Sequence, residues 1–383
     1  MHYFLSGKCV LKWLETPSVY DIGADELYEV DEDAFDFLKH CALTEGCSSE
    51  AGIFIDYCIK EDILTTQRVS ARRPAVLKSP VPSLRYLELQ ITDKCNLRCR
   101  HCYIGESGSN ELSLKEIRAV LSEFEAMQGL RVLITGGEPL LHSGYTDLNE
   151  MLPEFSLRKI LFTNGALLDK GKIAQLKVDE VQISIDGLEN AHDALRGQGS
   201  FAVAVNAVRK CRDEGLDVSV STMVHAKNLC DFDAMQRLFD ELGVKDWTVD
   251  VPCTTGRLEL NRDFLVDPET GGKYLAYGRG EGLHASTPGF ACGLHLMSVN
   301  AAGAVSKCTF YSDRSVGTIR DGLGECWKRI PPVRLDALRC HCRYIEQCRG
   351  GCRYRAETLD GPFGRDLFRC ALYSHPSCDI MES

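Results

Sequence analysis

Nineteen cysteines in a chain of 383 residues constrain the fold more than any other feature, because they are clustered. Three lie at Cys95, Cys99 and Cys102, and a dense set runs from Cys292 to Cys378. Met1–Leu5 lacks the basic n-region of an export signal, and charges soon interrupt the apolar residues, so a reducing, cytoplasmic setting is expected. There, an odd number of clustered cysteines reads as metal ligands rather than disulfides. The remaining Cys9, Cys41, Cys47, Cys58, Cys211, Cys230 and Cys253 are scattered and read as small buried hydrophobes. A net charge of −11, from 44 basic and 55 acidic residues, argues against a nucleic-acid binder. No uninterrupted apolar run reaches the roughly 18 residues of a membrane span, so no membrane partner is expected.

Three regions follow one another. Residues 1–66 open with short strand-like segments (His2–Phe4, Cys9–Leu14, Leu27–Val30). A helix over Glu32–Cys41 comes next, with Ala34, Phe37, Leu38 and Cys41 at the spacing of a buried face. A second helix is expected near Ala51–Lys60. Residues 67–83, with Arg72, Arg73, Pro74, Pro80 and Pro82 and no periodicity, read as a linker. From 84 to 255 strands and helices alternate: Arg85–Ile91, Arg131–Thr135, Lys159–Thr163, Glu180–Ile185, Asp217–Met223 and Asp246–Val251 are the strands. Ser113 and Glu116 make a capping box for the helix Ser113–Met127, whose apolar face is Ile117, Val120, Leu121 and Phe124, with Gly129 just beyond its end. Such units give right-handed crossovers and a parallel sheet. Six are too few to close an eight-stranded barrel, so an α/β fold with an open, partial (β/α)6 barrel is expected. Residues 256–383 form a bridging region and a cysteine-rich domain.

Directly after the first barrel strand, Cys95, Cys99 and Cys102 stand at C-x3-C-x2-C. Three thiolates at this spacing can hold three irons of a [4Fe–4S] cube and leave the fourth open to a chelating ligand. A zinc site is the alternative, although structural zinc prefers four ligands. The next strand ends in Thr135-Gly136-Gly137-Glu138-Pro139, the third in Thr163-Asn164-Gly165, and the fourth in Ser184-Ile185-Asp186-Gly187; Arg196 follows in His192–Gly197. All fall at C-terminal strand ends, where parallel α/β barrels place their chemistry.

The order and spacing of these motifs resemble the radical S-adenosylmethionine (SAM) superfamily. The resemblance implies that Cys95, Cys99 and Cys102 carry a SAM-cleaving cluster and are the catalytic centre. It implies that the turn Gly136, Gly137, Glu138 and Pro139 receives the methionine amino group, and that Ser184 and Asp186 mark the ribose-contacting strand end. Asn164 belongs to a strand end common in the family, and Arg196 matches an arginine that pairs with the SAM carboxylate. His101 stands where many members carry an aromatic residue, and Tyr103 can pack on the adenine. An electron from a flavodoxin- or ferredoxin-type reductant would then cleave SAM to a 5′-deoxyadenosyl radical that abstracts hydrogen from a substrate carbon.

The tail reads Cys292-x10-Gly303-x4-Cys308, then Cys340-x-Cys342-x5-Cys348-x3-Cys352 and Cys370. It resembles the SPASM domain, which implies two auxiliary [4Fe–4S] clusters. Cys292, Cys308 and Cys352 would hold the first, and Cys340, Cys342, Cys348 and Cys370 the second; zinc knuckles are the alternative. C-x-C replaces the usual C-x2-C, and Gly293–Ser298 contains no extra cysteine. The first cluster therefore has an open iron or borrows His295, Cys326 or Cys378. In Arg349-Gly350-Gly351-Cys352 the glycines let the backbone wrap a cluster.

Residues 1–66, through Thr16–Asp21, Leu27–Asp31 and the helix after them, resemble the winged-helix-like, PqqD-like recognition elements of peptide maturases, which bind a leader peptide by strand addition. The substrate implied is a ribosomally made precursor peptide. Sulfatase maturation fits less well, because Thr309 stands where those enzymes place an aspartate. The alternatives are a SPASM-type enzyme acting on a tetrapyrrole side chain or amino sugar, and a non-catalytic iron–sulfur electron carrier.

Overall fold

The computed structural model describes residues 1–50, 52–280 and 287–373. Its first elements are β1 (His2–Leu5), β2 (Cys9–Trp13), β3 (Pro17–Asp21), β4 (Glu26–Glu29), α1 (Glu32–Cys41), β5 (Cys47–Ser48), α2 (Ile53–Lys60) and β6 (Leu64–Thr65). Strands β2, β3 and β4 form one antiparallel sheet with β4 at its edge, and β5, β1 and β6 form another. Helix α1 begins where Asp31 accepts the Ala34 N–H at 2.8 Å. Its buried face is Phe35, Leu38 and Cys41. This corrects the expected Ala34–Phe37 side of the stripe: Phe35 meets the Trp13 ring edge-on at 5.6 Å, and Phe37 packs on Phe54 at the margin of the core. Helix α2 is described from Ile53, and Ala51 lies outside the described residues.

Residues 67–83 are strapped to both sides rather than free. Arg73 donates to the carbonyls of Cys9 (2.6 Å), Leu5 (2.7 Å) and Ser6 (3.1 Å), and Arg72 grips both oxygens of Glu125. Two of the basic residues counted toward a linker, Arg72 and Arg73, are what hold the stretch down. A second joint is Asp25, which pairs with Arg131 at 2.7 Å and Arg158 at 3.3 Å. The N-terminal unit is thus bolted to the barrel.

The middle region alternates as β7 (Tyr86–Gln90), α3 (Leu114–Ala126), β8 (Arg131–Thr135), α4 (Tyr145–Met151), β9 (Arg158–Thr163), α5 (Lys170–Gln175), β10 (Glu180–Ser184), α6 (Glu189–Arg196), α7 (Ser200–Asp213), β11 (Asp217–Met223), α8 (Phe232–Glu241) and β12 (Asp246–Asp250). The six strands pair in parallel in chain order, giving the expected open α/β sheet. Helix α3 carries the expected capping box and buries Ile117, Val120, Leu121 and Phe124. Its end differs in detail. Gln128 takes the left-handed conformation (φ 68°), and Gly129 is needed because a Cβ there would stand 2.4 Å from the Phe124 ring.

The rest of the described chain holds α9 (Pro268–Tyr274), β13 (Leu296–Val299), β14 (Ala304–Ser306), β15 (Gly317–Thr318), α10 (Leu323–Lys328), α11 (Ile345–Cys348), α12 (Arg353–Asp360) and α13 (Leu367–Tyr373). Strand β13 pairs in parallel with β7, and β14 and β15 follow antiparallel, so the barrel sheet runs on into the cysteine-rich region. That continuity fixes Cys308, just after β14, beside the mouth of the barrel.

Candidate active site

The C-terminal ends of the barrel strands open onto one cavity. Its wall carries Cys95, Cys99, His101, Cys102 and Tyr103 from the loop after β7, Gly136 and Gly137 after β8, Asn164 after β9, Ser184 at the end of β10, and Arg196 from α6. The cysteine loop is seated by the glycine turn. A Cβ on Gly136 would stand 2.7 Å from the Thr92 carbonyl oxygen, and one on Gly137 2.4 Å from that of Lys94. The Gly137 and Glu138 N–H groups donate to those same two oxygens at 2.8 Å. Both glycines are therefore required by loop packing before any ligand is considered.

Glu138, Pro139 and Asp186 do not line the wall; they lie buried behind it. Glu138 accepts from Thr163 Oγ1 (2.8 Å), the Asn164 N–H (2.9 Å) and the Leu140 N–H (3.3 Å), locking the β8 and β9 ends together. Burial raises its carboxyl in spite of these donors. Asp186 accepts the Met223 N–H at 2.7 Å and pairs with Arg196 Nε. Burial works against its charge, but the Arg196 guanidinium prevails and holds the carboxyl well below the usual range. Arg196 is thereby aimed, with Nη1 3.9 Å from the Cys99 sulfur. His101 is neutral: burial pushes its pKa down to about 4, and its Nδ1 is buried with no hydrogen-bond partner. Three thiols on one wall, an orphaned imidazole nitrogen and a pre-aimed guanidinium suit a cube with one open iron and a carboxylate-bearing ligand.

The C-terminal thiols form two groups. Cys340 and Cys342 stand 4.0 Å apart; Cys348 is near enough to feel both, and Cys370 to feel Cys340 and Cys348. Cys292, Cys308 and Cys352 act on one another in the same way, and the Cys292 N–H donates to the Arg349 carbonyl at 3.2 Å. Among the described residues no three His, Cys, Asp or Glu side chains converge as a single zinc ion requires. In a four-iron cube each thiolate takes a different iron. Gly351 has a further duty, because a Cβ there would meet Asp366 Oδ2 at 2.4 Å.

Glu88 and Cys253 are among the cavity residues that the sequence reading did not place there. Glu88, in the middle of β7, borders the cavity and accepts the Thr309 N–H at 2.8 Å; burial raises its carboxyl. An acid between Leu87 and Leu89 in a buried strand was the readable signal. Cys253, just after β12, also lines the cavity.

A partial barrel with a three-thiol loop at its mouth and a cysteine-rich extension is the arrangement the sequence resemblance leads one to expect. Residues 89–239 match the model of the Radical SAM superfamily, so this stretch of the chain is a radical SAM domain. It is similar to the Fe-coproporphyrin III synthase of Methanosarcina barkeri, at 26% identity over 74% of this chain and 86% of that protein. It is also similar to the mycofactocin maturase MftC of Mycobacterium ulcerans, at 28% identity over 72% and 86%. Among solved structures, Streptococcus suis SuiB bound to its precursor peptide SuiA shares the fold with a TM-score of 0.67 at 14% identity, over 96% of this chain and all of that one. No helix among the described residues is long and apolar enough to cross a membrane.

Proposed function

We propose that this enzyme modifies a ribosomally made precursor peptide in the cytoplasm, holding the leader on its N-terminal unit while the core enters the barrel mouth. The observation that carries this reading is β4, an exposed edge strand on a unit bolted to the barrel. The Val30 N–H bonds inward to Pro17 at 3.0 Å, so by the two-residue period Leu27 and Glu29 present their backbone groups outward for an added strand. The likeness to SuiB, which spans nearly the whole chain, and to a mycofactocin maturase supports it.

Cys95, Cys99 and Cys102 would hold the [4Fe–4S] cluster, and Gly136, Gly137, Asn164, Ser184, Tyr103 and Arg196 would line the SAM site, with Glu138, Pro139 and Asp186 bracing it from behind. When bound and reduced by a flavodoxin- or ferredoxin-type donor, cluster and SAM together supply a 5′-deoxyadenosyl radical that takes hydrogen from a substrate carbon. The chain's own part is to orient and shield. Arg196 offers its guanidinium to a carboxylate, the Asp186–Met223 contact keeps it pointed, and Phe162, Met223, Pro252 and Phe310 give the cavity an apolar side. Two auxiliary [4Fe–4S] clusters would sit in the C-terminal thiol groups.

Titrating the full-length enzyme with labelled peptides encoded beside its gene tests the reading. Micromolar affinity, about −8 kcal/mol, is expected, with loss against scrambled controls and weakening by Glu29→Pro, which removes an outward N–H. No binding to any such peptide would sink it. A tetrapyrrole substrate is the second reading, favoured by the coproporphyrin-related enzyme among the relatives; retention of 5′-deoxyadenosine formation with a porphyrin and not a peptide would establish it.

A further inference from the structure

The sequence motif supplies three cysteines for the first auxiliary site and leaves the fourth position unassigned. In the structure a fourth thiol stands there. Cys253 is buried in one small cluster with Tyr311 and Tyr354, and Cys308, Phe310 and Cys352 pack against that cluster. Cys352 thus packs beside Cys253, thiol near thiol. Cys308 and Cys292 complete the group through their mutual proximity to Cys352.

The placement is held from three directions. Arg355, in the first turn of α12, donates to Asp250 Oδ1 at 3.0 Å and to the Val251 carbonyl at 2.7 Å, which ties the Cys352 end of the helix to the strand end carrying Cys253. The Thr255 N–H turns back onto the Cys253 carbonyl at 2.8 Å. Beyond it the Arg257 N–H donates to the Cys102 carbonyl at 3.0 Å, and a Cβ on Gly256 would stand 2.4 Å from that same oxygen. The segment is pinned between the two cysteine groups, so the Cys253 thiol has a fixed address.

His295 and Cys326 are elsewhere. His295 Nδ1 bonds the Ser83 carbonyl at 2.8 Å, and the charged groups acting most on the ring are Arg85, Glu15 and Arg349. Cys326 belongs to the barrel core, with its sulfur 3.6 Å from the Thr318 carbonyl. Cys378 lies outside the described residues.

We propose that Cys253 is the fourth thiolate of the first auxiliary cluster, completing a closed set with Cys292, Cys308 and Cys352. This rests on the reading that the C-terminal domain binds auxiliary clusters, and it replaces both the open iron and the role of Cys253 as a small core residue. A cluster ligated by four thiolates has no iron free for a substrate heteroatom. It borders the cavity through Cys253 and Thr309, and substrate meets its protein shell, not its metal.

The test is anaerobic reconstitution of the full chain, with iron and sulfide counts, Mössbauer spectra and EPR of the reduced protein. Cys253→Ala and the near-isosteric Cys253→Ser should each lose one cluster's iron or alter one cluster's signal. The SAM-induced change in the Cys95–Cys99–Cys102 signal should persist, reporting an intact barrel. His295→Gln and Cys378→Ala should leave all signals as they are. Wild-type spectra in the Cys253 variants, or a changed cluster in either control instead, would overturn the assignment. A measurement without variants stands beside these: SAM-saturated wild-type enzyme should show no iron coupled to ¹³C-cyanide, and an iron that takes it up also overturns the proposal. If wild-type protein takes up only one cluster's iron, the auxiliary-cluster reading itself fails, which the iron count alone reveals.

Discussion

Replacing Asp366 by alanine should loosen the cysteine-rich domain around α12 and α13 while leaving the barrel tight. Asp366 is buried and accepts four hydrogen bonds: from the Cys352 N–H at 2.8 Å, Arg355 Nε at 3.0 Å, Arg355 Nη2 at 2.7 Å and the Phe368 N–H at 3.2 Å. Removing one partner of a buried pair costs about 3–5 kcal/mol, because the other charge stays buried without compensation. Arg355 keeps its bonds to Asp250 and Val251, so the lower end, roughly 3 kcal/mol, is the expected value. At about 1.4 kcal/mol per decade, local opening should rise by roughly two orders of magnitude. Amide hydrogen exchange of the iron-loaded protein reads this directly, since it resolves local from global opening. Peptides over 350–373 should exchange about 100-fold faster and barrel-strand peptides at their former rate. Asp366→Asn, which keeps an acceptor but no charge, should recover part of the protection. Exchange within threefold of wild type over 350–373 would show that Arg355 is stabilised without its partner, and would refute the argument that this clamp sets Cys352 against the β12 end.

Gly137→Ala should cost the enzyme the iron of its SAM-cleaving cluster, since the new Cβ meets the Lys94 backbone at 2.4 Å and the cysteine loop must move; iron content and SAM-perturbed EPR check it. Glu88→Gln should lower product formed per 5′-deoxyadenosine by about tenfold or more, because the raised carboxyl can hold or release a proton in the cavity; unchanged coupling would dismiss Glu88 as a brace for Thr309. Stability should fall in mild acid. Burial lowers His192 and His295 to about 4, aided by Arg196 and Arg85 respectively, whereas the unfolded rings titrate near 6.5. Their neutral forms therefore contribute fully above about pH 6.5, and the contribution is lost as pH falls toward 4. A denaturation midpoint that stays flat over that window would contradict this.

Much of the barrel was legible because its strands are buried apolar runs punctuated by turn residues. Arg131–Thr135, Asp217–Met223 and the helix Glu32–Cys41 have the limits expected of them. Strands β13–β15 were not legible: they are short, and β13 finds its place only by pairing with β7, far back in the chain. The site was legible in location and not in direction. A strand-end motif says that Glu138 and Asp186 lie near the cavity, but a turn of the backbone decides whether a carboxylate faces it or braces the neighbouring strand. In both cases the buried hydrogen bonds chose bracing.

Cys253 shows the same limit from the other side. Its neighbours in sequence carry no ligand spacing, so composition and spacing could only assign it to the core. Burial there is consistent with either role, since a ligand thiol in a closed site is as shielded as a packed one. What separates the roles is company, because a structural cysteine is surrounded by carbon and a ligand by other sulfurs. Cys253 touches Cys352, with Cys308 in the same cluster, and Arg355 holds the two elements together at that point. The barrel's last strand thus reaches into the cysteine-rich domain. The backbone of Cys253–Arg257, with one 3.0 Å hydrogen bond from the Arg257 N–H to the Cys102 carbonyl, joins the proposed auxiliary site to the Cys95–Cys99–Cys102 loop.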